Sequence, residues 1–375
     1  MKYIILGAGW YGNFIGLLFK ILNIEFIILE KKNDIFTGSS SKNQNRLHQG
    51  YHYPRSHDTR DECVFGYNIF MRLFKFMIRD VKNNYYLLDK NSNILYRDYV
   101  KLYNNMNFEC VNHITDSNIK LNMENIDGII KCNEKLINHN FAYKFFKDLL
   151  IGETILNYAQ HKLIVNDTEI IYDGNKYDYL INCTYGQVLN NNLVNNNLVN
   201  NIIDYELCIS FIYSGNIDCA LTLMDGPFFS IYPYITDIKS NCYTLTDVEY
   251  TPIKKSNNFD DILLFNIDDE IIMDTKLKME TKAKKYLTNF DEVFKYESYN
   301  ISYKCKFNNY NDDRSVRFSK HKNIYSFVGG KITGIFGMAK TLFGELYSEE
   351  ILENAYKIIE SDEFYKKYIK DNYNI

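Results

Sequence analysis

The order of apolar and polar positions predicts a strand, a helix and a second strand at the start of the chain. Residues 3–6 (YIIL) are all apolar, as in a short buried strand. The following residues switch to helical spacing, with Phe14, Leu17 and Ile21 on one face. A second apolar strand, EFIILE, follows at 25–30. This pattern is typical of a βαβ unit.

Elements of both kinds follow along the rest of the chain. Residues 205–252 are rich in β-branched and aromatic residues with regular turn breaks, which is typical of an antiparallel sheet. Residues 323–346 repeat the order of strand, glycine turn and helix. The spacing also predicts helices from Thr59 (with Thr59 and Glu62 as a capping box), over 136–150, over 275–290 and from about Ser348, strands at 161–173 and 179–183, and short strands and turns over 80–135.

Three glycines lie at the first junction between strand and helix. Gly7, Gly9 and Gly12 have the spacing GxGxxG, and Glu30 closes the second strand. Gly7 permits the tight turn, Gly9 lets the backbone approach a pyrophosphate, and Gly12 lets helix and strand pack closely. The Glu30 carboxylate can accept a hydrogen bond from a ribose hydroxyl. The junction therefore predicts a bound dinucleotide.

Three separated segments, at 3–16, 179–186 and 324–340, share the order of strand, glycine and turn or helix. A ligand that reaches all three must be long. A flavin dinucleotide uses a late segment as well as the first, because a helix N-terminus there stabilises charge on the reduced flavin. The chain has no second GxGxxG for a nicotinamide cofactor. The sequence therefore predicts a flavoenzyme without its own NAD(P) domain.

The chain length predicts two folding units, because 375 residues exceed the size at which one hydrophobic core keeps growing. The expected fold class is α/β, with a Rossmann-like FAD-binding domain of the glutathione-reductase type and a second, mostly antiparallel β domain for the substrate. The FAD-binding domain is expected at 1–80, 136–200 and 320–375, and the substrate domain at 81–135 and 201–319.

Composition and charge exclude several classes of protein. A net charge of −4 and a pI near 6.0 provide no cationic field for nucleic acid. No window of about 18 apolar residues occurs, so a soluble protein without a membrane span is expected. The 8 cysteines contain no CxxC pair, which favours the reducing cytoplasm and predicts neither a disulfide reductase nor a metal site. The Asn-rich repeat at 190–201 is interpreted as a surface insertion without function.

Two stretches are similar to segments of one enzyme family. GSSSKNQNRLHQGYHY (38–53) resembles, without gaps, the segment with Ser-Ser, Arg/Lys and Leu/Ile-His-x-Gly in the FAD-dependent D-amino-acid oxidase and glycerol-3-phosphate dehydrogenase-like family. VGGKIT (328–333) resembles the Gly-Gly-Lys-x-Thr of the glycerol-phosphate enzymes, and YLINCTYGQ (179–187) is a fainter match between them. The resemblance thus includes both ends of the chain.

The resemblance implies FAD as the cofactor. Ser40 and Ser41 would bind the pyrophosphate or the ribityl chain. Arg46, Leu47 and His48 would pass beside the flavin ring. The predicted cofactor-binding residues are Gly7, Gly9, Gly12, Glu30, Lys31, Ser40, Ser41, Asn43, Arg46, Leu47, His48, Gly50, Thr184, Gly329, Gly330, Lys331, Ile332 and Thr333.

The resemblance also implies residues on the substrate side. His48 and Arg317 are the predicted catalytic residues, which would orient or polarise the substrate. In relatives an arginine in the region of Arg314 and Arg317 clamps a substrate carboxylate. The predicted substrate contacts are His52, Tyr53, Arg55, Tyr232, Arg314 and Arg317. The alternatives are a structural His48, an Arg55 that braces the turn before the Thr59 helix, a Tyr232 in the core, and ion pairs of the two arginines with Asp312 or Asp313.

These features predict an FAD-dependent oxidoreductase, which would be either an oxidase or a dehydrogenase. It would move hydride to flavin N5 from a carbon bearing an amine or hydroxyl, as in an amino acid or hydroxy acid, and oxygen or another acceptor would reoxidise the flavin. Gly334, Ile335 and Phe336 stand where the glycerol-phosphate enzymes carry Thr-Tyr-Arg, so glycerol phosphate is not the expected substrate. The alternatives are a non-redox flavoenzyme such as a sugar-nucleotide mutase, and a catalytically dead flavin-fold binding protein.

Overall fold

The computed structural model describes residues 1–166, 168–187, 203–226, 228–236, 241–307 and 314–370. The Asn-rich repeat at 190–201 and the aspartates at 312 and 313 lie outside the described residues. In the described part of the chain, no helix is long and apolar enough to cross a membrane.

The strands and helices have the following bounds. The strands are β1 (Lys2–Leu6), β2 (Glu25–Glu30), β3 (Arg46–Leu47), β4 (Ile78–Asp80), β5 (Asn84–Asp89), β6 (Phe108–Val111), β7 (Ile126–Cys132), β8 (Lys135–Ile137), β9 (Thr154–Leu156), β10 (Leu163–Val165), β11 (Ile170–Tyr172), β12 (Asn175–Tyr177), β13 (Tyr179–Asn182), β14 (Ile203–Gly215), β15 (Ala220–Met224), β16 (Phe229–Tyr234), β17 (Cys242–Asp247), β18 (Pro252–Ser256), β19 (Phe294–Phe307), β20 (Arg317–His321) and β21 (Ile324–Val328). The helices are α1 (Trp10–Ile21), α2 (His57–Leu73), α3 (Tyr96–Leu102), α4 (His139–Leu150), α5 (Phe259–Leu263), α6 (Asp269–Tyr286), α7 (Phe290–Val293), α8 (Gly334–Leu346), α9 (Glu349–Ile359) and α10 (Asp362–Tyr365).

One layer is a six-stranded sheet in the order β20-β21-β13-β1-β2-β9. Strands β21, β13, β1, β2 and β9 run parallel, and β20 pairs antiparallel at the edge. Helices α1, α2, α4, α8 and α9 share one hydrophobic core with this sheet. Phe14 of α1 contacts Phe336 of α8 with ring centroids 5.1 Å apart, so the two ends of the chain are packed together. The predicted βαβ unit at the chain start is confirmed.

The second layer is a nine-stranded sheet in the order β18-β14-β17-β16-β15-β5-β7-β6, with β19 paired to β14. Its pairs are antiparallel except for β15 with β5. Helix α6 packs on this sheet, where Met279 and Ala283 are fully buried. The predicted antiparallel sheet at 205–252 is therefore present, and the region 80–135, expected to hold only short strands and turns, adds β5, β6 and β7 and the helix α3.

The start of α2 differs from the prediction. Its N-cap is Ser56, whose hydroxyl accepts a hydrogen bond from the Thr59 amide, so the predicted Thr59–Glu62 capping box is wrong. Thr59 Oγ1 instead accepts from the Arg314 amide at 2.8 Å, and Glu62 Oε2 accepts from the Val316 amide at 2.8 Å. The two side chains face the segment before β20, which they hold against α2.

The mixed architecture of a parallel sheet with helices and a largely antiparallel sheet confirms the predicted fold class. A three-stranded sheet in the order β3-β8-β4 begins with Arg46, the residue whose side chain reaches the nine-stranded sheet. The division of the chain into an FAD-binding and a substrate domain stays a prediction.

Candidate functional site

Four strands of the parallel sheet end at the same edge. In register, Leu6 of β1 lies beside Leu29 of β2 and Asn182 of β13, and Asn182 lies beside Ser326 of β21. The segments that follow these strands therefore emerge next to one another, at the carboxyl edge where α/β sheets bind ligands. Lys31 Nζ, after β2, donates to Gln187 Oε1, after β13, at 2.7 Å.

The first of these segments has the geometry that its glycines predict. Gly7 has a φ of +100°, which favours glycine. A Cβ at Gly12 would lie only 1.9 Å from the Gly7 carbonyl oxygen, so helix and strand approach too closely for any side chain. Glu30 Oε2 accepts from the Ala8 amide at 2.8 Å, which ties the end of β2 to this turn.

The loop at 39–43 lies against the start of α1. Ser40 Oγ accepts from the Trp10 amide at 3.1 Å, and a Cβ at Gly9 would come within 2.9 Å of the same oxygen. Ser41 Oγ donates to the Phe36 carbonyl at 2.8 Å, and Asn43 Nδ2 donates to the Ser39 carbonyl at 2.6 Å. Ser40 thus lies at the N-terminus of α1, whereas Ser41 and Asn43 are hydrogen-bonded within the loop at 36–43.

The segment at 329–333 reaches the same helix end. Tyr11, in the first turn of α1, donates its hydroxyl proton to the Lys331 carbonyl at 3.0 Å. A Cβ at Gly329 would lie 2.2 Å from the Tyr11 hydroxyl, and one at Gly330 would be 3.7 Å from the Tyr185 hydroxyl. Thr333 is the N-cap of α8. The three segments that sequence analysis singled out therefore converge.

A buried arginine lies beside this convergence. The Arg46 side chain is 1% exposed and pairs with Glu134, which is 0% exposed, at 3.6 Å. Its guanidinium lies 3.8 Å from the centre of the Tyr232 ring. Its hydrogen bonds go to Tyr86 Oη (3.1 Å), Thr222 Oγ1 (3.0 Å) and Ser230 Oγ (2.7 Å). The guanidinium group of Arg46 therefore connects β3 to three neighbouring strands of the nine-stranded sheet.

Three residues predicted to contact ligands take part in this packing. The Nη1 and Nη2 donors of Arg46 are directed at the nine-stranded sheet, and its Nε is buried without a hydrogen-bond partner in the described part of the chain, so the flavin contact of Arg46 stays a prediction. Leu47 is fully buried in the core of the parallel sheet. Tyr232 is also fully buried, and its hydroxyl donates to the Lys135 carbonyl at 3.0 Å, which matches the alternative of a Tyr232 in the core.

Two other predicted contacts lie in different surroundings from those expected. Gly50 has a φ of +97°, and a Cβ there would meet the Arg60 Cα at 3.1 Å, so its small size serves the packing on α2. Arg55 forms an ion pair with Asp225 while half of its side chain stays exposed. This pair matches the alternative in which Arg55 braces the turn before α2.

Two histidines follow Arg46 and face each other. Their ring centroids are 4.9 Å apart. His48 Nδ1 lies 3.7 Å from Glu134 Oε1, and His52 Nδ1 is hydrogen-bonded to the Tyr86 hydroxyl at 2.7 Å. Lys331 Nζ lies 4.5 Å from the centre of the neighbouring Tyr53 ring. The histidines are thus linked to the glycine segment at 329–333.

The environment keeps both histidines neutral. Burial, together with the charges of Lys331 and Arg46, lowers the pKa of His48 well below its ordinary value. Burial, followed by the charge of Arg46, lowers the pKa of His52 in the same way. Burial also lowers the pKa of Lys331. Neutral imidazoles can accept protons, as a general base requires.

These shifts predict that the protein loses stability on acidification. Below the ordinary histidine pKa of 6.5 the unfolded chain binds protons that the folded chain does not. As the pH is lowered below 6.5, the free energy of unfolding should therefore decrease, by at most about 1.4 kcal/mol per pH unit for each histidine. Urea unfolding between pH 5 and 7 measures this slope. His52→Asn should flatten it, whereas His113→Asn, at an exposed position, should leave it unchanged.

The ligand atoms of His48, His52 and Glu134 lie within 4.8 Å of one another, a separation that a metal site would also show. However, Glu134 Oε1 accepts from the Gln49 amide at 2.8 Å, and Oε2 accepts from the Tyr86 hydroxyl at 2.7 Å. The positive charge of Arg46 also disfavours a cation here. The cluster is therefore organised by hydrogen bonds and one charge pair.

Glu134 and Tyr86 are the site residues that sequence reasoning missed. Neither lies in a motif, and 48 residues separate them in the chain. Of the predicted arginines, Arg314 is held by its amide on Thr59, and Arg317 lies exposed at the start of the edge strand β20, opposite Val328. Their roles stay predictions.

The chain is similar over most of its length to FAD-dependent monooxygenases. It is 27% identical over 336 residues to one from Fusarium mangiferae, covering 88% of this chain and 87% of that protein. It is 26% identical over 377 residues to one from Aspergillus flavus, covering 90% and 83%. No protein-family model matches the chain.

Solved structures share the fold at low sequence identity. L-proline dehydrogenase from P. horikoshii has a TM-score of 0.66 at 10% identity, covering 94% of this chain and 98% of that one. L-amino acid deaminase from Proteus vulgaris has a TM-score of 0.64 at 11% identity, covering 92% and 94%. Glycine oxidase from Geobacillus kaustophilus has a TM-score of 0.62 at 11% identity, covering 89% and 90%. The chain has the D-amino-acid oxidase-like fold.

This D-amino-acid oxidase-like fold confirms the resemblance that residues 38–53 and 328–333 indicated. The sequence relatives are named FAD-dependent monooxygenases, and the similar solved structures include an FAD dependent oxidoreductase from Pseudomonas aeruginosa and a glycerol-3-phosphate dehydrogenase complexed with FAD, which bears out the predicted enzyme class and the predicted cofactor. The sequence relatives are named monooxygenases, whereas the structural neighbours named above act on amino acids.

Proposed function

We propose that this D-amino-acid oxidase-like protein is an FAD-dependent oxidoreductase that removes hydride from a carbon bearing an amine or a hydroxyl. The observation that carries the proposal is the convergence on the N-terminus of α1. Ser40 contacts Trp10 there, and Lys331 contacts Tyr11. An elongated dinucleotide is the kind of ligand that contacts segments so far apart in the chain.

The residues at this edge fit FAD. The N-cap of α1 is Gly9, which has no side chain to fill the space at the helix N-terminus, and the Ser40 hydroxyl that accepts from the Trp10 amide lies at the same helix end, where a phosphate could be bound. His48 Nδ1 and Gln49 Oε1 are buried and, in the part of the chain that the structure describes, have no hydrogen-bond partner. Such polar atoms require a partner from a ligand or water.

Specific residues would hold each part of the cofactor. The turn at 7–12 and Ser40 would hold the pyrophosphate, and Glu30 would hold a ribose hydroxyl. The segment 329–333 and the N-terminus of α8 would stabilise negative charge on the reduced flavin. When bound, FAD supplies a two-electron acceptor at N5. Lys31, Ser41, Asn43 and Thr184 are the further residues proposed to contact it.

The substrate would bind on the side of the two histidines, near Tyr53 and Lys331. Lys331 and Arg314 are the basic side chains on this side; burial lowers the pKa of the Lys331 amine, and the charge of Arg314 lowers it further. Basic groups suit a substrate with a carboxylate, as in an amino acid or hydroxy acid. We propose that His48 and Arg317 orient this substrate, and that oxygen or a separate acceptor reoxidises the flavin.

A monooxygenase is the second candidate, because the two sequence relatives reported above carry that name. A monooxygenase would need an external reductant for its flavin, whereas the proposed reaction takes both electrons from the substrate. The two functions therefore differ in what reduces the flavin without oxygen.

Anaerobic reduction of the bound flavin tests the proposal. The purified holoprotein is mixed under argon with a panel of D- and L-amino acids and 2-hydroxy acids, and in parallel with NADH and NADPH. Bleaching of the flavin absorbance by a member of the acid panel alone is the expected result. Reduction only by a nicotinamide cofactor, together with oxygen from O₂ in a product of a separate incubation under air, would favour the monooxygenase instead.

A further inference from the structure

The hydrogen-bond network beneath the histidines determines which ring nitrogen of His52 carries the proton. Glu134 is paired with the Arg46 guanidinium and accepts hydrogen bonds at both oxygens, so it is ionised and can only accept. The single proton of the Tyr86 hydroxyl goes to Glu134 Oε2 at 2.7 Å. Toward His52, the Tyr86 oxygen can therefore only accept. The proton in the 2.7 Å contact between them consequently resides on His52 Nδ1.

The other nitrogen of His52 then has a free lone pair. A neutral imidazole that donates at Nδ1 is an acceptor at Nε2. Nε2 is the ring nitrogen that does not contact Tyr86, and the His52 ring has the rings of His48 and Phe228 as neighbours, with centroids 4.9 Å and 5.8 Å away. Among the described residues, no hydrogen bond engages this atom, and the side chain is not fully buried. The network thus presents a proton acceptor toward the site.

His48 lacks this arrangement. Its Nδ1 is buried without a hydrogen-bond partner in the described part of the chain, and it lies 3.7 Å from Glu134 Oε1, beyond hydrogen-bond distance. No bond therefore selects one tautomer of His48. Of the two rings, only His52 has a tautomer that neighbouring groups impose.

We infer that His52 Nε2 accepts the proton that leaves the amine or hydroxyl of the substrate, and that Tyr86 and Glu134 are positioning residues that hold His52 in the required tautomer. The inference rests on the proposed function. The substrate loses one hydride from carbon and one proton from nitrogen or oxygen, and its C–N or C–O bond becomes a double bond. FAD, the oxidant of the proposed function, takes the hydride with its two electrons, and His52 takes the proton.

The network also stabilises the product state of this step. Protonated His52 donates from Nδ1 to the Tyr86 oxygen, and the Tyr86 proton remains directed at the Glu134 carboxylate. The hydrogen bonds that hold His52 are therefore the same before and after it takes the proton, so the ring keeps its orientation during the step. Arg46 holds that carboxylate in place.

His52→Asn tests the inference, because asparagine retains a donor toward Tyr86 and lacks Nε2. We expect the variant to retain FAD and its melting temperature, and to reduce its flavin anaerobically at least about 100-fold more slowly with the best acid substrate. His113→Asn, at an exposed position, is the matched control and should react as the wild type does.

Tyr86→Phe tests the positioning role through the tautomer itself. Nitrogen-15 spectra of histidine-labelled holoprotein distinguish protonated from unprotonated ring nitrogens, and the His52 signals are those lost in His52→Asn. We expect His52 to be protonated at Nδ1 in the wild type and to become a mixture of tautomers in Tyr86→Phe. Tyr85→Phe, in which a neighbour on the same strand loses a 2.8 Å bond to Thr115, should leave the His52 signals unchanged.

Each outcome decides one question. A wild type that reacts, together with a His52→Asn variant that reacts equally fast, overturns the role of His52 and leaves the proposed function standing. A resting His52 protonated at Nε2 overturns the imposed tautomer. A wild type whose flavin no amino acid or hydroxy acid reduces overturns the proposed function and this inference with it.

Discussion

Gly12→Ala is expected to yield protein without bound flavin. A Cβ at this position would lie 1.9 Å from the Gly7 carbonyl oxygen, which is backbone and cannot rotate away. Helix α1 must therefore move away from β1, and its N-terminus leaves the position at which it would meet a pyrophosphate. The flavin-to-protein absorbance ratio after gel filtration should fall from near stoichiometric to less than about a tenth of that value. Overpacking of a close contact costs roughly 1–3 kcal/mol or more, and here this cost should weaken the binding of FAD.

Gly344→Ala provides the matched control for this prediction. Gly344 lies in α8, and a Cβ there has no neighbouring atom within 4 Å. The substitution should leave the flavin content unchanged and raise the free energy of unfolding by up to about 1 kcal/mol, because alanine favours a helix. Gly12→Ala protein that retains a full complement of flavin would show that the turn at 7–12 does not hold the cofactor.

Arg46→Met is expected to destabilise the folded protein by about 3–5 kcal/mol, because it leaves the buried Glu134 carboxylate without its counter-charge. The side chains of Arg46 and Glu134 are 1% and 0% exposed. The variant also removes the donor to Ser230 Oγ at 2.7 Å. Urea unfolding followed by circular dichroism measures the difference.

Arg72→Met is the control for a surface ion pair. Arg72 pairs with Glu353 and Glu360, each at 2.8 Å, and 38% of its side chain is exposed. Arg72→Met should therefore lower the free energy of unfolding by about 1 kcal/mol or less. If Arg46→Met were no more destabilised than Arg72→Met, the network around Glu134 would not contribute to stability as inferred. The double variant Arg46→Met/Glu134→Leu should recover part of the loss, because it removes both charges.

The elements that the sequence predicts best are those with a local cause. The strand EFIILE is observed with the predicted bounds as β2, and the helix predicted over 136–150 is α4, which begins at His139. By contrast, the Thr59–Glu62 pattern satisfies a capping box by spacing alone. Ser56 supplies the cap, because the segment at 314–316 competes for both side chains in the folded structure.

In the candidate site, too, some features have a local cause and others depend on residues that are distant in the chain. The polar stretch at 38–53 is recognisable by its resemblance, and Ser40 of that stretch lies at the N-terminus of α1. The stretch does not reveal that Arg46 faces away from that helix end, toward the nine-stranded sheet. Its partners Tyr86, Thr222 and Ser230 come from strands at separations of 40, 176 and 184 residues.

The sequence by itself determined the glycine turn, the strand and helix that flank it, and the resemblance to flavoenzymes, because these depend on backbone conformation and spacing within a few residues. The tertiary structure alone decided that Glu134 and Tyr86 meet His52, and that Tyr232 is a core residue beneath Arg46. A buried polar group must find its partner wherever the fold provides one, and no pattern along the chain records that choice.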